Sequence, residues 1–116
     1  MSASFDPEGF AQRQLDAYNA RDLARFVAEY TDDVQVFVLP DPKPVTVGKA
    51  ALAAHYRDNR FNLPDLHAKL VSRMVFGNKV IDQEIVYGVP GAPLDGAAIY
   101  EVTPAGISRV WFVRAA

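Results

Sequence analysis

The sequence has no cysteine, which excludes disulfides, thiolate metal sites and cysteine nucleophiles together. Only two histidines are present. His55 and His67 share no HxH or HxxxH spacing, so no metal site is expected. A basic excess is also missing: 12 Lys+Arg stand against 14 Asp+Glu, for a formal charge of −2. The basic residues are scattered singly, which argues against a nucleic-acid partner. No apolar run approaches the ~18 residues of a membrane span. Neither a GxGxxG or Walker loop nor a GxSxG elbow occurs, so no cofactor is expected. Residues 1–6 lack the basic start and apolar run of a signal peptide, and a cytoplasmic protein is the expectation.

What is present is a chain of 116 residues, 50% hydrophobic, 22% charged and 11% aromatic. That suits one domain spanning residues 1–116. A chain of this size buries roughly two-thirds of its unfolded surface, enough for one core.

The first half reads helical. Asp6-Pro7-Glu8 combines a capping side chain, a proline at the first helical position and an acid near the positive helix end. Ala11, Leu15 and Tyr18 follow at helical spacing. Asp22 caps a second helix presenting Leu23, Phe26, Val27 and Tyr30, with Thr31-Asp32-Asp33 as its end. Residues 34–39 are β-branched and short, hence a strand. Three alternate prolines, Pro40, Pro42 and Pro44, then impose an extended loop. Gly48-Lys49 opens a third helix to about Asn59, slim because of Ala50, Ala51, Ala53 and Ala54. Four strands follow, over 66–76, 79–87, 97–102 and 107–114. Gly77-Asn78 and 103–106 are the reversals. Helices followed by an antiparallel meander imply an α+β domain, a curved sheet with helices on one face. A ferredoxin-like sandwich fits less well, because four strands come in succession.

Hairpin arithmetic then sorts the faces. A two-residue loop at Gly77-Asn78 makes paired positions sum to 155, so Arg73 lies opposite Asp82 and Val71 opposite Glu84, with His67 on the same face. The other face carries Leu66, Leu70, Met74, Phe76, Ile81, Ile85 and Tyr87. In the last hairpin a four-residue loop places Tyr100 opposite Arg109 and Ala98 opposite Trp111. Both of its faces are substantially apolar. Helices cover one, and a second subunit is the economical cover for the other, so a homodimer through sheet faces is expected. A tightly curved sheet that partly covers itself is the alternative.

Asp82 with Arg73, flanked by Glu84 and His67, is the clustered polar set of the strand half. A carboxylate beside an apolar pocket can serve as acid or base, tuned by burial and its arginine. The plainer reading is an exposed cross-strand ion pair worth under ~1 kcal/mol. The alternation favours that reading, since the set lies opposite the apolar face. Tyr18, Tyr30, Tyr56, Tyr100 and Trp111 can line a cavity and donate to a ligand oxygen, or simply pack the core with a polar tip in water. Arg109 can clamp an anion or carbonyl if it points inward; otherwise it is a surface residue. Asp32-Asp33 sits at a helix-to-strand junction and reads as structural.

The whole order of elements, with Tyr30-Thr-Asp-Asp-Val-Gln-Val, Gly48-Lys-Ala-Ala-Leu-Ala-Ala-His-Tyr56, the stretch 66–84, Ala98-Ile-Tyr-Glu-Val and Val110-Trp-Phe112, resembles the nuclear transport factor 2-like superfamily. Within it the chain is similar to the ketosteroid isomerase and SnoaL-like branch. The resemblance covers nearly the whole chain. It implies a cone-shaped α+β (cystatin-like) barrel, a pocket between helices and sheet, and dimerisation through the sheet. Ketosteroid isomerases carry an aspartate base on the first strand; that place falls near Val38. Their oxyanion hole, a first-helix tyrosine and a protonated aspartic acid, falls near Gln14 (Tyr18 lies one turn later) and at Ala98. None of the three roles is filled by the expected residue, so ketosteroid isomerase activity is not expected.

The expected function is therefore binding of a small, largely apolar molecule, with proton transfer, isomerisation or cyclisation as its chemistry. Asp82 poised by Arg73 would be the acid or base. Tyr18 or Tyr100 would be the hydrogen-bond donor, with Val38, Tyr56, His67, Arg109 and Trp111 around the ligand. The competing class is a non-catalytic binding or dimerisation module. A cavity of ~300 Å³ or more with convergent polar groups favours the first; a collapsed, wholly apolar interior favours the second.

Overall fold

The computed structural model describes residues 5–115; the reading of the chain's start falls largely on residues 1–4, outside the described residues. Three helices lie against a six-stranded curved, unclosed sheet. Helix α1 (Pro7–Asn19) starts as the capping pattern requires, the Asp6 carboxylate accepting from the Gly9 N–H at 3.1 Å. Helix α2 (Leu23–Ala28) is capped likewise by Asp22, which accepts from the Arg25 N–H. It ends earlier than its apolar spacing suggests. Tyr30 begins strand β1 (Tyr30–Val38) and pairs with Ile107, so Thr31-Asp32-Asp33 lie in a strand rather than closing a helix.

After the proline loop a two-residue strand, β2 (Thr46–Val47), pairs with β1; so short an element carries no readable period. Helix α3 (Lys49–Asn59) follows. Strands β3 (His67–Phe76), β4 (Lys79–Tyr87), β5 (Leu94–Thr103) and β6 (Gly106–Arg114) form the expected antiparallel meander. The sheet order is β2-β1-β6-β5-β4-β3. One contact departs from the antiparallel expectation: β1 runs parallel to β6, which the long intervening chain permits.

Two irregularities decide which side chains face the helices. The β3–β4 register keeps Arg73 opposite Asp82 but shifts between Leu70 and Ser72, so Glu84 faces Leu70 instead of Val71. A bulge of this kind places one extra residue on one strand and changes which side chains face inward beyond it. Leu66, Ala68 and Leu70 consequently join the core, although Leu66 and Leu70 were expected beside Met74 and Phe76. The second shift falls between Glu101 and Val102, opposite Arg109 and Ile107. Tyr100 therefore faces Val110, Glu101 faces Arg109 and Ile99 faces Trp111, one residue from the expected pairing.

The resulting core is formed by the inner sheet face and the helices, with Phe26, Val34, Leu52, Val80, Val102, Ile107 and Val110 fully buried. The polar set of the β3–β4 hairpin lies on this inner side. Asp82 is 0% exposed, whereas Met74 is 53% and Phe76 60% exposed. The plainer sequence reading, an exposed ion pair opposite a buried apolar face, is thus inverted.

Candidate functional site

Between the helices and the inner face of β4, β5 and β6 lies a cavity of about 130 Å³. Tyr18 of α1, Phe26 of α2 and Tyr56 of α3 form one wall, Ala68 and Val86 another, and Gln14, Glu84 and Tyr100 bring polar atoms into it. The volume falls below the ~300 Å³ of a drug-sized site, because aromatic rings pack into the space: Phe26 and Tyr56 stand 4.6 Å apart, Tyr18 and Tyr56 6.1 Å. It is neither collapsed nor wholly apolar. At the ~10–15 Å³ that one water needs, it holds on the order of ten non-hydrogen atoms.

Spacing on α1 creates the polar floor. Ala11, Gln14, Leu15 and Tyr18 share the buried stripe, so Gln14 is carried inward with its apolar neighbours. Its Nε2 donates to the Ala11 carbonyl at 3.0 Å and to the Tyr100 Oη at 3.1 Å. Its Oε1 accepts from the Tyr30 hydroxyl at 3.1 Å. The Ala11 carbonyl only accepts, which fixes which end of the amide is NH₂. Both amide hydrogens are then committed, and Tyr100 is the acceptor of its bond. The Tyr100 hydroxyl hydrogen remains free for a ligand oxygen. Burial holds the Tyr100 and Tyr30 hydroxyls well above the ordinary phenol range, so both stay protonated donors.

Glu84 supplies the titratable group. Strand alternation puts it two residues from Asp82 on the same inner side, and it lines the cavity. Burial pushes its carboxyl up to about 7, the Asp82 charge adds to the rise, and Arg73 opposes it. Tyr18, also in the wall, is pushed up to about 12, chiefly by burial. Burial raises Tyr56 too.

The pair expected to be catalytic lies behind this surface. Arg73 donates to Asp82 from Nε at 2.7 Å and from Nη2 at 3.0 Å, a two-bond clamp, and from Nη1 to Gln12 at 2.9 Å. Both Asp82 oxygens are used, and neither Asp82 nor Arg73 is part of the cavity lining.

Of the other residues expected around a ligand, Tyr56 and Tyr100 line the cavity with Tyr18. Four do not. The shifted β5–β6 register turns Trp111 to the outer face, where it stacks on Phe37 with centroids 5.6 Å apart. The same shift takes Arg109 outward to an ion pair with Glu101 at 3.6 Å. His67 is exposed at the start of β3, and Val38 pairs with Phe112 beyond the cavity wall. Asp32, read as structural, meets Lys49 at 3.5 Å, and Thr31 donates to Asp33 at 2.8 Å. Among the described residues no cluster of His, Asp and Glu is arranged to hold a metal.

Glu84, Gln14, His55 and Arg60 are cavity residues that the sequence reading did not put in the site. For Glu84 a signal existed, its two-residue spacing from Asp82. For Gln14 it was an amide on an apolar helical stripe. His55 and Arg60 gave none.

An open α+β cone with a cavity between helices and sheet defines the cystatin-like, nuclear transport factor 2-like class of fold. The SnoaL-like domain pattern matches residues 11–110, and the chain belongs to that family. A cystatin-fold protein of unknown function from Novosphingobium aromaticivorans is 28% identical, with a TM-score of 0.78 over 96% of this chain and 100% of its own. A SnoaL-like protein of unknown function from Burkholderia thailandensis is 20% identical, TM-score 0.76, over 95% and 94%. A computationally designed 17-OHP binder is 15% identical, TM-score 0.79, over 94% and 91%. A comparison with curated proteins returns no match.

Proposed function

We propose that the cavity binds a small carbonyl compound and moves a proton on the carbon beside its carbonyl, with Glu84 as the base and Tyr100 donating to the carbonyl oxygen. The observation that carries this reading is that one small cavity is lined both by a buried carboxyl, pushed up to about 7, and by a phenol whose hydrogen is uncommitted. A base near neutrality balances availability against strength. A fixed donor at the developing enolate oxygen stabilises the charge as it forms. Asp82 and Arg73 act behind Glu84 through their charges.

Small ketones in D₂O test it by proton NMR. Protein-dependent exchange of the α-hydrogens is expected, rising with pH around a midpoint near 7, lost in Glu84→Gln and reduced in Tyr100→Phe. The reading is abandoned if no ketone exchanges or if Glu84→Gln exchanges normally. Binding without exchange would leave a non-catalytic ligand module, a use of the fold that the designed 17-OHP binder illustrates.

We propose further that two copies pair through the outer sheet face. Exposed Met74, Phe76, Val71 and Tyr87 support this reading, because contiguous apolar area on a small protein commonly marks an interface.

A further inference from the structure

The arginines of this chain are mostly matched to carboxylates. Arg13, Arg25, Arg57, Arg73 and Arg109 each have one within 4.0 Å. Arg21, Arg60 and Arg114 have none among the described residues; Arg21 donates to the Leu66 carbonyl instead, and Arg60 and Arg114 line the cavity. They come from different elements: Arg60 is the C-cap of α3 and Arg114 ends β6. The same lining holds His55 and two carboxylates, Asp95 and Glu84. Burial and Arg60 both hold the His55 imidazole below its usual range, so the two arginines are the cations of the lining.

We propose that Arg60 and Arg114 form the carboxylate-recognition end of the cavity, and that its ligand is a small oxo acid with the carboxylate at these arginines and the ketone at Tyr100 and Glu84. This deepens the proton-transfer reading by naming the substrate class, and it rests on that reading for the ketone end only.

The sheet register supports one ligand that reaches both groups. Glu84 and Arg114 stand on either side of Gly96 in one cross-strand row, so no side chain of the intervening strand separates them. Room for on the order of ten non-hydrogen atoms suits a short chain with a group at each end. Guanidinium groups match a carboxylate in shape and lose less hydration than an ammonium would.

The test uses 4-oxopentanoate and 5-oxohexanoate with their methyl esters, titrated into the full protein while amide signals of the cavity residues are followed by NMR. Acids binding about tenfold tighter than their esters is expected, in line with charge-assisted hydrogen bonds. The Arg60→Gln/Arg114→Gln double variant should bring the acids to the affinity of the esters, and Glu84→Gln should keep the acid preference. The proposal is overturned if neither acid binds, if the esters bind as tightly, or if the double variant leaves acid affinity unchanged. The wild-type comparison of acid with ester decides even if that variant fails to fold. Acid binding without α-hydrogen exchange would sink the proton-transfer reading and leave this one standing. Equal exchange of acids and esters would do the reverse.

Discussion

Glu84 carries opposite consequences for activity and stability. Its carboxyl is raised in the folded state, so the folded protein holds a proton that the unfolded chain releases at lower pH. Stability from this group is fully present below about pH 4.5 and is lost as pH rises toward about 7. Glu84→Gln should therefore stabilise the protein by about 1–3 kcal/mol at pH 8, with little gain at pH 4. Urea unfolding at the two pH values reads the difference; an equal effect at both would mean the carboxyl is not shifted. Asp82 behaves differently because Arg73 clamps it. Arg73→Met should cost about 3–5 kcal/mol, since it strands a buried carboxylate, and Arg73→Met/Asp82→Leu should recover most of that. Thermal melts of the single and double variants check it. Tyr18, Tyr56 and Tyr100 were legible as cavity candidates from type and spacing. Glu84 was read only as a neighbour of Asp82, because hairpin arithmetic gave the Arg73–Asp82 pairing but not which face of the hairpin meets the helices.

Elements were more readable than faces. The caps of α1 and α2, α3 and the whole β4 span follow from local chemistry: a carboxylate at Asp6 and Asp22, Gly48 before α3, and alternation through residues 79–87. Strand β2 and the start of β1 do not, since their conformation comes from pairing with partners distant in sequence. The bulges near Val71 and Ser108 are the same kind of event, and each turned over part of the face assignment. A close approach beside β4 adds one testable element. Gly88 has φ +80°, and a Cβ there would clash with the Asp65 carbonyl oxygen. Gly88→Ala should therefore cost about 2 kcal/mol or more. A denaturant midpoint equal to that of the wild type would show that the Asp65 backbone yields freely.

At the scale of the molecule, apolar residues exceed what the core takes in. The outer sheet face is not covered by the sheet's own curvature, because Met74, Phe76 and Tyr87 remain exposed. If two copies pair there, they need to bury ~1,200–2,000 Å² in total. Met74→Glu with Phe76→Glu should convert a dimer to a monomer in sedimentation velocity and leave the melting curve of the fold intact. A wild-type protein that sediments as a monomer rejects the pairing. No helix among the described residues is long and apolar enough to cross a membrane.

The run of helices into strands was sufficient, taken alone, to set the α+β class, and the absence of cysteine excluded disulfides and thiolate chemistry. These are properties of residue type and short-range order. Which carboxylate meets the cavity, which way Trp111 and Arg109 point and which arginines stay without a carboxylate were settled only by tertiary structure. Each depends on a one-residue register shift or a contact between elements far apart in the chain, and a shift of one residue in a strand exchanges its two faces.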